Sequence, residues 1–331
     1  MTHNPDLFYA SARILAQSSV GIPSPLAEIM PAENGWIFTI NTIDSYPLLN
    51  QFWVSSGGME ESGAGDSPQS RLLLSFFTHR QESSGIFMNI SQSVAFVTGA
   101  NRGIGKAYVE ALLQGGSRRV YAAARQVDSL APVVALDPQR VVALPLDITQ
   151  PQQIAAVSAQ ASDVTLLINN AGVIGSGGFL ADHALETAHQ EMDTNYFGTL
   201  AMMRAFAPIL KANGGGGMVN MLSVVAHANA PVFGSYSASK AALYSLTQGM
   251  RAQLASQGIR VFAVFPGPVD TAMAAGLPVD KTPPLQVTTY VLGAIEQGIE
   301  DIYPDPTAQQ IEAGIHQDRK AVERQFASWL P

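Results

Sequence analysis

The sequence predicts an α/β fold in which a parallel sheet is covered by helices on both faces. From about residue 88 onward, short apolar segments alternate with longer segments of helical periodicity. The apolar segments are nearly continuous, as expected for strands that are buried on both faces. The connections between them are short, which indicates crossover units and therefore parallel neighbouring strands.

The predicted elements follow one another in a regular order. The first predicted helix ends at Gly115 and Gly116, and Pro151 suits the first turn of the second helix. Sheets of this kind bind ligands at the carboxyl ends of their strands, so candidate site residues are expected there. Strands are predicted at residues 94–97, 120–123, 141–144, 164–168, 218–222, 261–265 and 302–303, and helices at 103–113, after Pro151, across 186–210 and around 236–254.

Composition excludes several classes of function. The chain has 331 residues, of which 47% are hydrophobic, and its net charge of −8 argues against binding to nucleic acid. It has no cysteine, which excludes disulfides, zinc–thiolate sites and thiol nucleophiles. His183, His189 and His227 lack the spacing of metal ligands, so no metal site is predicted.

No membrane or export segment is predicted. No apolar stretch is long enough to span a bilayer. The N-terminus does not fit a signal peptide, because Asp6 stands where positive charge is expected and polar residues such as Gln17 interrupt the apolar run. We therefore expect a cytoplasmic protein with no membrane partner.

Residues 1–87 differ from the rest of the chain. They contain no lysine, and residues 55–66, rich in Gly and Ser, are interpreted as a flexible linker. Residues 36–40 and 72–74 are candidate short strands or core fragments. We interpret this part as a poorly ordered extension, or one not native to the enzyme that begins at residue 88, with a small domain of unknown role as the alternative.

A glycine-rich turn, TGANRGIG at residues 98–105, joins the first buried strand to a helix. Glycines allow a tight turn and close approach to a pyrophosphate, while the helix N-terminus offers free N–H groups. Arg125 ends the second strand where an NAD site usually carries an acid, and Arg102 offers a second cation for a ribose 2′-phosphate. Asp147, after the third strand, is a candidate acceptor for the adenine amino group. The sequence therefore favours NADP(H) over NAD(H).

A second set of polar residues carries candidate chemistry. Tyr236 and Lys240 are four residues apart on a predicted helix, so they lie on one face. An ammonium beside the phenol is expected to lower the tyrosine pKa toward the range where proton transfer is effective. Ser223, at the end of the fifth strand, can hold a substrate oxygen on which charge develops.

Taken together, these motifs resemble those of the short-chain dehydrogenase/reductase family, from Met88 to about Pro304. The matching segments are TGANRGIG, NNAG at residues 169–172, Ser223, YSASK at 236–240 and PGPVDT at 266–271. The resemblance implies a Rossmann-type doubly wound sheet of about seven strands, with a Ser–Tyr–Lys catalytic set. It also implies that Asn195 is a fourth catalytic residue that holds a water of a proton relay through Lys240.

The resemblance also implies a cofactor site and an oligomer. Lys240 is expected to bond the nicotinamide ribose, and Val269 and Thr271 to touch the carboxamide. A homodimer or homotetramer is expected. The expected cofactor-binding residues are Gly99, Asn101, Arg102, Gly103, Ile104, Gly105, Arg125, Asp147, Ile148, Asn169, Ala171, Gly172, Tyr236, Lys240, Pro266, Gly267, Val269 and Thr271.

The predicted function is interconversion of a small-molecule carbonyl (aldehyde or ketone) and an alcohol, with Tyr236 as general acid/base. One alternative is a non-catalytic NADP-binding sensor or scaffold of the same fold. Another is a reductase of 3-oxoacyl groups bound to a carrier, which calls for a cationic patch that residues 224–235 do not supply. Residues 268–284 are expected to close over the substrate in a modest, mostly apolar pocket.

Overall fold

The computed structural model of the chain describes residues 27–32, 35–40, 50–55, 58–61, 88–175 and 177–329. The chain divides into two compact units between Ser84 and Gly85. This division lies close to residue 88, where the sequence changes character. The two units are described separately.

The first unit contains four strands in the described residues before residue 88. They form an antiparallel sheet in the order of the chain. The predicted strand at 36–40 falls within the second of them, whereas residues 72–74 lie outside the described part of the chain. The strands are β1 (Ala27–Ala32), β2 (Gly35–Ile40), β3 (Asn50–Ser55) and β4 (Gly58–Glu61).

The prediction of a flexible linker over residues 55–66 is wrong for β4. Gly58 pairs with Ser55, and Phe52 pairs with Glu61, in antiparallel register. Only two residues separate β3 from β4, which is a common loop length for a β-hairpin. Glycine and serine are common both in the loops of β-hairpins and in flexible linkers, so composition alone could not distinguish a hairpin from a linker.

The second unit is built on a seven-stranded parallel sheet. Its strand order is β7-β6-β5-β8-β9-β10-β11, and all neighbouring pairs are parallel. This confirms the predicted Rossmann-type doubly wound sheet of about seven strands. The strands are β5 (Val94–Thr98), β6 (Arg119–Ala124), β7 (Val141–Pro145), β8 (Leu166–Asn169), β9 (Gly216–Met221), β10 (Ile259–Val264) and β11 (Asp301–Ile302).

Helices connect these strands. The single predicted helix across 186–210 consists of α4, a π-helical segment (Met192–Gly198) and α5. Three further helices, α2 (Ala131–Val134), α7 (Pro284–Glu296) and α8 (Pro306–Ala327), were not predicted from the sequence. The helices are α1 (Gly103–Gln114), α2 (Ala131–Val134), α3 (Pro151–Gln160), α4 (Ala184–Glu191), α5 (Thr199–Ala212), α6 (Gly234–Leu254), α7 (Pro284–Glu296) and α8 (Pro306–Ala327).

Apolar cores lie on both faces of the sheet. Strand β5 is buried at every position, and its side chains alternate between the two faces. Val97 belongs to the core that includes Tyr108 of α1, while Phe96 belongs to the core on the other face and packs against Phe206 of α5 in a tilted arrangement, with ring centroids 4.8 Å apart. Replacing Phe96 with Ala should cost about 3–5 kcal/mol of stability, because a fully buried ring would leave a cavity.

The strand order places a crevice at one edge of the sheet. The chain runs from β5 outward to β6 and β7, and then returns to β8 on the other side of β5. The connections that leave β5 and β8 therefore diverge at their carboxyl ends, which is where such sheets bind ligands. No helix in the described residues is both long enough and apolar enough to cross a membrane.

Candidate active site

A single cleft of about 2180 Å³ lies across the carboxyl ends of the sheet strands. Most of the predicted site residues line it, from the glycine turn at one end to Ser223, Tyr236 and Lys240. The three that do not line it are Gly105, Asn169 and Asn195. Residues that are far apart in the chain are thus brought together along one surface.

The glycine turn lies between β5 and α1. Gly99 and Gly103 have φ values of +65° and +52°, which other residues rarely adopt. Gly105 packs so closely that a Cβ atom there would collide with the Gly99 carbonyl oxygen. The N-terminus of α1 has no side-chain cap at Arg102. Its free N–H groups, with the close backbone approach, fit the pyrophosphate of a dinucleotide.

Thr98 ties the ends of β5 and β8 together. Its buried hydroxyl lies 3.4 Å from the Ile168 carbonyl oxygen, to which it donates, and accepts the backbone N–H groups of Asn170 and Ala171, both at 3.0 Å. The Asn170 amide donates to the carbonyl oxygens of Thr98 and Gly99 at 2.9 and 3.2 Å. These hydrogen bonds fix the positions of the backbone segments that line the cleft beside the glycine turn.

The structure places Asn170, and not the predicted Asn169, in the lining of the cleft. Asn169 was predicted to contact the cofactor, but its side chain is buried and donates to Asn220 at 2.9 Å. Asn170 lines the cleft instead. Successive side chains at a strand end point to opposite sides, and the sequence alone does not establish which one faces the ligand.

Two cations and a carboxylate lie along the far end of the cleft. Arg102 and Arg125 are both exposed and line it, and neither forms an ion pair with another described residue. Asp147 also lines it, and its Oδ1 accepts the N–H and the hydroxyl of Thr149 at 2.9 and 2.7 Å. Ile148, which is buried, packs against Gly198, where a Cβ atom would be 2.9 Å from the isoleucine side chain.

The reacting end is formed by β9 and α6. Tyr236 and Lys240 lie one turn apart near the start of α6, and both are buried. The Lys240 Nζ donates to the carbonyl oxygen of Met221, the last residue of β9, at 2.6 Å. Its Nζ lies 5.6 Å from the centroid of the Tyr236 ring. Ser223 caps the short 3-10 turn Val224–Ala226, and its Oγ donates to the Pro266 carbonyl oxygen at 3.5 Å.

Burial has the largest effect on the pKa values of Tyr236 and Lys240. Burial raises the pKa of Tyr236, the nearby Glu191 carboxylate raises it further, and the Ser223 hydroxyl opposes them. Burial also lowers the pKa of Lys240 to about 8. The expected lowering of the tyrosine pKa by Lys240 is therefore not found in this structure. Loss of solvent is the largest cause of both shifts.

Asn195 lies in the π-helical segment and is fully buried. Its Oδ1 accepts the Val173 N–H at 2.9 Å, and its Nδ2 donates to the Val173 carbonyl oxygen and the Ser239 hydroxyl at 2.9 and 3.0 Å. A Cβ atom on Gly172 would be 3.1 Å from Asn195 Oδ1 and 3.6 Å from Lys240 Nζ. Because residue 172 is glycine, a gap remains between these two polar atoms.

Two features of the site were missed by sequence reasoning. Glu191, at the end of α4, is buried; its Oε1 accepts the Gly175 N–H at 2.7 Å, and its Oε2 has no hydrogen-bond partner among the described residues. Phe326 and Trp329, near the C-terminus, line the cleft. A single acid in a helix and two aromatics far along the chain carry no spacing signal that links them to the other site residues.

Comparisons with known proteins agree with this geometry. The sequence profile of the short chain dehydrogenase family matches residues 93–282. A short chain dehydrogenase of Monascus purpureus is 34% identical over 197 residues, which are 56% of this chain and 68% of that protein.

Solved structures give the same result. A short chain dehydrogenase of Burkholderia cenocepacia in complex with NADP is 44% identical, with a TM-score of 0.69 over 74% of this chain and all of that one. One from Burkholderia phymatum in complex with NAD is 25% identical, with a TM-score of 0.63 over 70% and 96% of the two chains. By its sequence, its fold and the arrangement of its cleft, this chain belongs to the short chain dehydrogenase family.

Proposed function

We propose that this chain is an NADP(H)-dependent oxidoreductase that interconverts a carbonyl compound, an aldehyde or ketone, and an alcohol. The observation that carries the proposal is one continuous cleft that joins the glycine turn to Ser223, Tyr236 and Lys240. The close packing at Gly105 and the uncapped start of α1 fit a dinucleotide. When bound, the cofactor supplies or accepts the hydride at its nicotinamide ring.

In the proposed mechanism, the protein's own groups position the substrate and move a proton. The hydroxyls of Ser223 and Tyr236, which both line the cleft, bind the carbonyl oxygen of the substrate. The Tyr236 phenol donates its proton to that oxygen as negative charge develops there, and it takes the proton back in alcohol oxidation. Burial of Tyr236 excludes water and keeps the phenol protonated in the resting protein.

Lys240 and Asn195 support proton movement in this proposal. With a pKa of about 8, the buried Lys240 gains and loses a proton near neutral pH more readily than an ordinary lysine. Its hydrogen bond to Met221 holds the ammonium at the end of β9, next to the gap beside Gly172. A water or a ribose hydroxyl in that gap would connect Lys240 to Asn195 and extend the proton path.

The preference for NADP(H) is part of the proposal. Arg125 directly follows β6, and Arg102 lies in the glycine turn, so two guanidinium groups line the end of the cleft where the adenosine ribose is expected. The relative from Burkholderia cenocepacia was solved with NADP, whereas the one from Burkholderia phymatum was solved with NAD. The two cations favour the phosphorylated cofactor.

Tyr236→Phe tests the catalytic assignment. The variant should lower kcat at least about a hundredfold, because it removes the general acid, while leaving NADPH affinity within about twofold. Tyr244→Phe is a matched control, since it removes a hydroxyl of the same helix that donates to Asp301 at 3.3 Å and does not line the cleft. Activity of the Tyr236 variant within tenfold of wild type would refute the assignment. NADPH binding without turnover of any carbonyl would favour the sensor or scaffold alternative.

We also propose that residues 88–331 form the catalytic domain and that residues 1–87 are dispensable for catalysis. The side chain of Met88 packs against the core of the second unit, near Gly217 of β9. The family profile begins at residue 93. A chain that starts at Met88 should keep kcat/KM within about twofold of the full chain, and loss of activity would contradict the proposal. The expected homodimer or homotetramer stays a prediction that light scattering can test.

A further inference from the structure

The C-terminal helix α8 adds a wall to the cleft that the family profile, which ends at residue 282, does not include. It is anchored beside the loop that follows β10. The buried carboxylate of Asp305 accepts the Gly267 N–H at 2.8 Å and the Ala308 N–H at 2.9 Å, so it caps the helix and bonds the loop at once. Because Gly267 lines the cleft, α8 begins at the edge of the site.

A kink in α8 brings its second half to the reacting end. Asp318 has non-helical dihedral angles (φ −153°, ψ 92°), and its carboxylate accepts the N–H groups of Lys320 and Ala321. Arg319 donates to the carbonyl oxygen of His227 at 2.9 Å, in the segment that follows Ser223. The helix is therefore fastened to the same loop that presents the candidate catalytic serine.

Beyond the kink, two aromatic rings line the cleft. Phe326 is fully buried and belongs to the same apolar core as Tyr236 and Val225. Trp329 packs against Phe326 with ring centroids 4.8 Å apart, and it remains 39% exposed. An indole that is supported on one side and open on the other offers an apolar surface to a ligand.

The side chains around this surface carry little charge. Three segments of the described residues that line the cleft, 224–233, 266–285 and 307–329, include the aromatic pair and the two loops to which α8 is fastened. Among their lining residues, the single charged side chain is Asp270. Its neighbour Thr271 packs against Gly103 of the glycine turn, where a Cβ atom would be 3.1 Å from the threonine methyl group. A carboxylate, phosphate or carrier-bound substrate would find no cation there, whereas an uncharged apolar group would lose little hydration.

We propose that Trp329, supported from behind by Phe326, binds a neutral, ring-bearing substituent of the carbonyl substrate and is a specificity-determining residue. This inference rests on the proposed function, because it concerns the substrate of the same site. The chain then selects for aryl-substituted or similarly bulky apolar aldehydes and ketones over short ones. The ring contact is apolar and involves none of the groups proposed to move a proton, so it acts on the choice of substrate and not on the chemistry.

A pair of aldehydes that differ only by a ring tests the inference. Propanal and 3-phenylpropanal have the same reacting group, and kcat/KM for each is measured with saturating NADPH. We expect wild type to favour 3-phenylpropanal at least about tenfold, and Trp329→Ala to lower this preference at least about fivefold. Trp329→Phe, which keeps a ring, should retain most of the preference.

Tyr290→Ala is the matched control. Tyr290 is an aromatic residue of α7 with 46% exposure that does not line the cleft, so its loss should leave the preference unchanged. An unchanged preference in Trp329→Ala, an equal loss for both aldehydes, or the same loss in Tyr290→Ala would overturn the inference.

A binding measurement separates this inference from the proposed function. Calorimetry follows 3-phenylpropan-1-ol binding in the presence of NADPH, which cannot oxidise the alcohol. If wild type reduces neither aldehyde nor any other carbonyl, the proposed function fails, and binding alone decides the inference. Binding that weakens at least about fivefold in Trp329→Ala supports the ring site. Unchanged binding in that variant, or no measurable binding to wild type, would overturn it.

Discussion

Substitution of Lys240 should change how stability depends on pH. Lys240 is buried, and burial lowers its pKa in the folded chain to about 8, from an ordinary value of 10.5. Between these two values the unfolded chain holds the proton and the folded chain does not. Unfolding therefore takes up a proton, and the free energy of unfolding rises as the pH rises through this window.

The size of the effect follows from the two pKa values. Each pH unit well inside the window changes the free energy of unfolding by up to about 1.4 kcal/mol. Integration from about pH 7 to about pH 9.5 gives a rise of roughly 2 kcal/mol that is attributable to Lys240 alone. Lys240→Met removes the titrating group, so the variant should lack this part of the rise.

Urea unfolding of the cofactor-free protein, followed by circular dichroism at the two pH values, measures the difference. Wild type should gain about 2 kcal/mol more than Lys240→Met between them. Lys281→Met is the control, because Lys281 also donates to a backbone carbonyl, that of Leu277, at 2.8 Å. Equal pH dependence in wild type and Lys240→Met would refute the lowered pKa of Lys240, and with it the proposed proton exchange near neutral pH.

Three further substitutions test separate parts of the site. Arg125→Asp should lower the ratio of kcat/KM for NADPH to that for NADH at least about tenfold, since a carboxylate repels the 2′-phosphate; an unchanged ratio would exclude Arg125 from cofactor recognition. Glu191→Gln removes the charge that, after burial, raises the pKa of Tyr236, so the pH profile of alcohol oxidation should move to lower pH if Tyr236 is the base, and a stationary profile would contradict the coupling. Gly105→Ala should weaken NADPH binding at least about tenfold, because the new Cβ collides with the Gly99 carbonyl oxygen. Gly249→Ala, at a helical position with open space around it, should instead add up to about 1 kcal/mol of stability and leave NADPH binding unchanged.

Most of the sheet could be predicted because its strands are buried on both faces. Strands such as β5 and β10 are almost wholly apolar and are bounded by turn residues, so periodicity and length identify them. The C-terminal helix α8 lacks that signal. Its mean hydropathy is low and a kink at Asp318 interrupts its pattern, so its packing depends on contacts with distant segments. Tertiary contacts of that kind are invisible to a local pattern.

Sequence reasoning identified those site residues whose type has a specific chemical use at a strand end or near the start of a helix. The glycine turn and the Tyr236–Lys240 pair belong to this class, and the structure brings them to one cleft. The sequence could not assign the roles of Asn169 and Asn170, since either neighbour can face the ligand. It also could not reveal Glu191, whose effect on Tyr236 exists only because α4 and α6 pack together.

The sequence by itself determined the strand–helix alternation, the glycine turn and the identity of the groups that can transfer a proton. These properties depend on local chemistry: apolar periodicity, backbone freedom and the functional groups that each side chain carries. Only the tertiary structure decided the environment of Tyr236 and Lys240: burial raises the pKa of Tyr236, against the expected direction, and lowers that of Lys240. It also decided that Trp329, nearly a hundred residues after Tyr236, lines the same cleft. Burial and proximity depend on how distant segments pack, so they arise only when the whole chain has folded.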